Sequence, residues 1–189
     1  MANKVQYGLS NLYYAVATED EVGALTYGTP KRWPGAVSLS LDMQGETTNE
    51  YADNGIWYAV SANNGYQGTL EVEPIPDSIL ADLFGITAAG NGIVAEYSGA
   101  KQAQFALLGQ FEGDESPKRF ALYNCIASRP SLSGSTTTDS TEFAHDSVTI
   151  TAMPRINDQL VKGSVQNSEQ TASVYNAWFT SVQVPTAGE

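Results

Sequence analysis

Basic residues are scarce in this 189-residue chain: nine Lys and Arg stand against 21 Asp and Glu, a net charge of −12 at neutral pH. That balance repels phosphate, and tight nucleic-acid binding depends on Lys and Arg that displace counterions, so a DNA reader is excluded. An anionic membrane surface is disfavoured for the same reason, and no apolar run approaches the ~20 residues that cross a bilayer. Histidine and cysteine occur once each, which leaves no zinc constellation and no intramolecular disulfide. The one thiol, Cys125, sits in the apolar run Ala121 to Ala127 and reads as a small core hydrophobe rather than a nucleophile. Met1 to Tyr7 lacks the apolar core and small-residue cleavage site of a secretory signal, so synthesis and residence in a cytoplasm are expected. Charged residues make up only 16% of the chain, against about 25% in typical globular proteins.

Gly, Ser, Thr and Tyr fill the difference, and 42% hydrophobic residues are enough for one sizeable core, which points to a folded chain of strands and turns. Period-two alternation in Ala36 to Met43 places Val37, Leu39, Leu41 and Met43 on one face and Ser38, Ser40 and Asp42 on the other, predicting a half-buried strand. A second alternation at Gly68 to Glu73 follows the turn cluster Asn63-Asn64-Gly65, and with Ile56 to Val60 it predicts a β-hairpin. Pro74, Pro76 and Asp77 then introduce Ile79, Leu80, Leu83 and Phe84 at helical spacing, closed by Gly85, which predicts the main helix. Further strands are predicted at Ile93 to Tyr97, Gln104 to Glu112, Lys118 to Ser128 and Asp146 to Met153. Ser131 to Thr141 reads as an exposed loop, hairpin arm or edge strand. A short helix within Thr171 to Phe179 and a last strand at Phe179 to Val184 complete the expectation. No internal repeat or Pro/Ser-rich linker divides the chain, so one domain of packed sheets with one or two helices is expected over 1–189.

No motif carries catalytic chemistry. His145-Asp146-Ser147 holds three triad residue types, but neighbours in sequence cannot converge as a triad does. Gly90-Asn91-Gly92-Ile93-Val94-Ala95 has dinucleotide-loop glycine spacing in the wrong order of elements, helix, turn, strand. The acidic groups Glu19-Asp20-Glu21 and Glu112-Gly113-Asp114-Glu115 lack calcium-loop spacing and read as solvated loops. The expectation is therefore no enzyme, no catalytic residue, no metal site and no cofactor. The aromatics Tyr13, Tyr14, Tyr51, Trp57, Tyr58 and Tyr66 suggest core or cross-strand packing, with a sugar-binding or protein-binding face as the alternative.

Several segments resemble the major tail tube proteins of siphoviruses that infect Gram-positive bacteria. They are Tyr7-Gly8-Leu9-Ser10-Asn11-Leu12-Tyr13-Tyr14-Ala15, Pro34 to Asp42 continuing through Gln44-Gly45-Glu46-Thr47, and Tyr51-Ala52-Asp53-Asn54. Ala62 to Tyr66 leading into Gly68-Thr69-Leu70-Glu71, and Tyr123 to Ser135, support them. The resemblance runs from Val5 to about Arg155 and is less clear over 156–189. It implies a mainly β fold, two antiparallel sheets forming a barrel-like sandwich with a flanking helix, the phage tail tube fold shared with contractile-tail inner tubes and type VI secretion needles. It also implies six-membered rings that stack into a tube for DNA ejection, with inner sheets joined edge to edge. The implied partners are copies of the chain itself, tape measure, terminator and distal tail proteins, and DNA in transient, non-specific passage, with no membrane. The implied location is a virion tail assembled in the host bacterial cytoplasm.

Under that resemblance the polar stretch Gln44 to Asn54 is the first candidate for contacts between subunits, through Gln44, Glu46, Thr47, Thr48, Tyr51, Asp53 and Asn54. Ser133 and Thr137 are the second. An acidic wall would also let DNA slide where a basic one would hold it. The competing expectation is a monomeric β-sandwich carbohydrate-binding module.

Overall fold

A computed structural model describes residues 3–132, 136 and 144–186, and the chain is mainly β with antiparallel sheets and two helices. Strand β1 (Gln6–Glu19) carries β2 (Leu25–Tyr27) and β3 (Lys31–Arg32) along its length. β4 (Ala36–Gln44), β5 (Thr47–Ala52), β6 (Gly55–Ser61) and β7 (Gly65–Val72) follow, then α1 (Asp77–Phe84). A small ribbon of β8 (Thr87–Ala88) and β9 (Val94–Ala95) precedes β10 (Phe105–Gly113), β11 (Lys118–Ala127), β12 (Asp146–Ala152), β13 (Lys162–Gln166) and α2 (Ala172–Ala177). Nine strands form one sheet in the order β2-β1-β10-β11-β12-β7-β4, with β13 also on β11 and β3 also on β1.

That sheet folds over itself into a sandwich-like body without closing into a barrel. One core lies between its two halves: Leu12, Tyr14, Phe105, Leu107, Leu122 and Cys125 from β1, β10 and β11 meet Leu70, Val72, Val148 and Ile150 from β7 and β12. Ile79, Leu83 and Phe84 of α1 and the indole of Trp33 complete it. Gly85 ends α1, donating its N–H to the Leu80 carbonyl. Tyr14 Oη donates to Asp82 Oδ2 at 2.8 Å, and Lys31 pairs with the same oxygen at 2.6 Å, tying α1 to β1 and β3. Lys31 and Tyr14 hold the Asp82 carboxyl below its ordinary range against the opposing effect of burial.

A second apolar layer covers the other face of β1, β10 and β11 only. Ala15, Ala106, Leu108, Ala121 and Tyr123 alternate with the first set along their strands and meet Val165, Tyr175 and Trp178 from the C-terminal segment. Because both faces are covered, Phe105-Ala106-Leu107-Leu108 reads as an unbroken apolar run with every residue buried. Phe179 stacks on Tyr13 with centroids 4.7 Å apart, and Trp178 Nε1 donates to the Phe120 carbonyl at 3.2 Å. Arg155, itself buried, pairs with Asp158 at 2.9 Å and lies over the Tyr123 ring. Burial pushes the Tyr123 phenol up to about 12, and it stays protonated to donate to the Gln183 carbonyl at 2.7 Å.

Five expectations are corrected. Ile56 to Val60 does not pair with Gly68 to Glu73: β6 pairs with β5, while β7 lies between β4 and β12. β7 is paired on both edges and its Leu70 and Val72 pack into the core, whereas β6 closes locally on β5 across a two-residue turn at Asp53 and Asn54, both at positive φ. Of the four residues on the predicted apolar face of β4, Leu39 and Leu41 reach the core; Val37 sits at a register shift and Met43 is 81% exposed, where the strand leaves the body. The strand expected at Ile93 to Tyr97 shrinks to Val94–Ala95, which pairs with the two-residue β8. Phe179 to Val184 forms no strand, since Phe179 and Val182 lie across the sheet face and β13 occupies the edge of β11. Finally, Tyr51, Trp57 and Tyr58 are exposed rather than packed, while Tyr14 is buried and Tyr13 and Tyr66 are half-buried.

The C-terminal segment thus closes one face of the sheet, and Trp178 is its anchor. Trp178→Ala is expected to cost about 3–5 kcal/mol of unfolding free energy, as large-to-small changes of a buried aromatic do. Urea denaturation of the variant beside the parent chain measures it.

Candidate assembly surface

The backbone hydrogen bonding of β4 with β7 does not stop where the core stops. Gln44 faces Gly65 at the end of that ladder, Asn64 N–H donates to the Gln44 carbonyl at 2.8 Å, and Ala62 N–H donates to the Glu46 carbonyl at 3.0 Å. Pairing then resumes as Thr47 opposite Ser61 and runs to Ala52 opposite Gly55. The result is a β-ribbon arm, residues 47–61, in which every residue is exposed.

Glycines make the junction possible. Gly45 (φ 150°) and Gly65 (φ 100°) take conformations that L side chains rarely adopt, and a Cβ at either would lie 1.9 Å from a carbonyl oxygen, that of Ala62 or Ala152. The ladder can therefore pass out of the sheet without a break in hydrogen bonding.

The arm brings together the first set of sequence-derived candidates. Gln44 ends β4 at its root, Glu46 lies between β4 and β5, Thr47, Thr48 and Tyr51 are on β5, and Asp53 and Asn54 form the turn at the tip. Thr47 Oγ1 lies 3.3 Å from Ser61 Oγ across the ribbon. Ser133 and Thr137 fall outside the described residues. The opposite strand supplies what the candidates missed: Ile56, Trp57, Tyr58 and Val60, of which Trp57 is 72% and Tyr58 65% exposed. Tyr51 faces Ile56 and Glu50 faces Tyr58, with Trp57 the extra residue of a bulge between these rungs; Glu50 and Tyr51 alternate along β5, so Tyr58 and Tyr51 lie on opposite faces of the ribbon. Apolar side chains thus project from both sides of an element that has no core of its own.

The sheet half formed by β4, β7 and β12 presents a second distinctive surface. Its outward rows are Ser38, Glu71 and Ser147, then Ser40, Thr69 and Thr149, then Asp42, Gln67 and Thr151. These are hydroxyls, an amide and two carboxylates without a cation, and Ser38 Oγ donates to Glu71 Oε2 at 2.8 Å. The outer edge of β4 has no partner strand among the described residues.

Other sequence features take structural places. Asp146 accepts the Ile75 N–H at 2.9 Å, and His145 Nδ1 lies 3.6 Å from Glu73, so His145-Asp146-Ser147 points to different neighbours. Gly90 and Gly92 belong to the connection between β8 and β9. Cys125 is fully buried and its thiol is pushed up to about 12 by burial. Among the described residues no three His, Cys, Asp or Glu are grouped to hold a metal ion, and no helix is long and apolar enough to cross a membrane.

No protein-family model and no curated protein matches the chain. Among solved structures it is similar to the tube-terminating cap of the anti-feeding prophage, at 13% identity over 88% of this chain and 95% of that one, with a TM-score of 0.47.

Because the arm gives nothing to either core, replacing residues 45–64 by an Asn-Gly turn between Gln44 and Gly65 is expected to leave the fold intact. The melting temperature should move by less than about 4 °C, the shift that roughly 1 kcal/mol produces at this size. Differential scanning calorimetry checks it.

Proposed function

We propose that this chain is a non-enzymatic structural subunit of a phage tail, and in particular a tail tube protein that stacks as hexameric rings into the conduit for DNA ejection. The observation that carries the reading is the arm. A fully exposed β-ribbon bearing Tyr51, Ile56, Trp57, Tyr58 and Val60 is a surface that calls for a protein partner, since exposed apolar patches of this kind mark association sites. The arm follows a rigid sheet directly, so a partner that gripped it would fix the position of the whole subunit.

Two further features support the same reading. The unpaired edge of β4 offers hydrogen-bonding groups for a neighbouring subunit, an aggregation hazard in a monomer but a joint in a ring. The cation-free outer face of β4, β7 and β12 adjoins that edge, and a ring joined there would place Asp42, Glu71 and their hydroxyl neighbours toward a shared surface. As a channel wall, that face would repel DNA phosphates weakly and hold none of them. The resemblance to siphovirus tail tube proteins supplies the ring number and the further partners: tape measure, terminator and distal tail proteins, with assembly in the host cytoplasm.

A carbohydrate-binding module fits less well. Sugar rings stack on aromatic platforms that share one face, and the arm divides Tyr51 and Tyr58 between its two faces.

Negative-stain electron microscopy of the concentrated protein is expected to show six-fold rings or hollow tubes, and the variant lacking residues 45–64 none. Parent protein that stays monomeric at high concentration and binds glycans saturably would overturn the proposal.

A further inference from the structure

The arm is one half of a contact, and the body carries a surface suited to be the other half. At the open mouth of the folded sheet lies a groove of 310 Å³, lined by Leu39 and Leu41 of β4, Tyr66 of β7, Phe111 of β10, and Phe120 and Leu122 of β11. Its size is at the lower end of the ~300–1,000 Å³ of small-molecule pockets. Phe111 and Phe120 stack in its wall with centroids 4.9 Å apart. Lys118 and Lys162 also line it, and the Lys162 ammonium lies 4.6 Å from the Tyr66 ring centroid. Among the described residues no carboxylate lines it.

Two lysines at one apolar groove are not the background of this protein, which has nine basic residues in all. The arm has the opposite character: Glu46, Glu50 and Asp53 lie among its apolar side chains, and no Lys or Arg occurs from Gly45 to Ala62. Exposure of every arm residue also shows that the arm does not occupy the groove of its own chain.

Resting on the reading of the chain as a self-assembling subunit, we propose that the arm of one copy seats in this groove of the next. Its apolar residues cover Leu39, Leu41 and Phe111, and Glu50 and Asp53 meet Lys118 and Lys162. The two surfaces differ, so the contact is heterologous and propagates from copy to copy instead of ending at a dimer. Charge complementarity sets the register and rejects misaligned seating, while apolar cover supplies the hold.

The native thiol is buried, so introduced cysteines report alone. Protein carrying Asn54→Cys at the arm tip is mixed with protein carrying Ser164→Cys at the groove and oxidised with copper phenanthroline. An intermolecular disulfide between the two variants is expected. Its yield should fall about tenfold when the groove partner also carries Lys118→Glu and Lys162→Glu, and recover when the arm partner carries Glu50→Lys and Asp53→Lys. Rescue by the arm reversals separates lost recognition from misfolding of the groove variant. Rings or tubes that form with no such disulfide, and with the lysine reversals tolerated, overturn the docking and leave the proposed function standing. If a chain carrying both Asn54→Cys and Ser164→Cys forms the disulfide only within single chains, whatever the concentration, that likewise overturns it. Protein that never self-associates overturns both.

Discussion

A hydrogen-bonded ladder that runs on past its hydrophobic core is the constraint on which this structure turns. β4 and β7 are held in register by the core through Leu39, Leu41, Leu70 and Val72, and the backbone pairing then continues through Gln44 and Gly65 into a ribbon with nothing beneath it. An isolated two-stranded ribbon is at best marginally stable in water. Here it is rooted in a nine-stranded sheet, so its register is set before it leaves the body. Gly45 and Gly65 permit the passage, and the turn at Asp53 and Asn54 closes the far end. The chain therefore holds out a ribbon whose apolar side chains are left uncovered by its own described body.

The remainder of the fold supports that element unevenly. The half-sheet of β1, β10 and β11 is buried on both faces, by α1 with the opposing strands on one side and by the C-terminal segment on the other. The half-sheet of β12, β7 and β4, from which the arm springs, is buried on one face and polar on the other. Stability is concentrated in the first half, and the second is left free to present an edge, a polar face and an arm. Most of the chain's acidic excess stays on the surface. At partly exposed sites charges still order the chain: Asp82 of α1 joins Tyr14 of β1 and Lys31 of β3, and Asp158 holds the buried Arg155 within their shared connection.

Elements with one strong local signal were legible in the sequence. α1 was marked by its proline entry, its apolar spacing and Gly85, and β10, β11 and β12 by continuous or alternating apolar residues between breakers. β1, the longest strand among the described residues, is not legible as one, because Gly8, Ser10 and Asn11 interrupt it at register shifts, with Asn11 at φ 48°. β13 buries only Val165 and offers no pattern. The polar half of the arm is legible as an outlying segment, but its aromatic half reads as the partner of β7, since Asn63-Asn64-Gly65 resembles a hairpin turn as closely as Asp53-Asn54-Gly55 does. Which of the two turns joins paired strands depends on β7 having partners on both edges, a non-local fact that no short window contains.

The central claim is that the arm is solvated in a single copy and covered in the assembly, and amide hydrogen exchange measures that directly. In dilute protein, residues 47–61 should exchange far faster than β10 and β11, and in concentrated, assembled protein they should gain protection together with the groove residues Leu39, Leu41 and Lys162. Equal exchange of residues 47–61 in the dilute and assembled states would contradict the account, because it would mean that assembly leaves the arm uncovered.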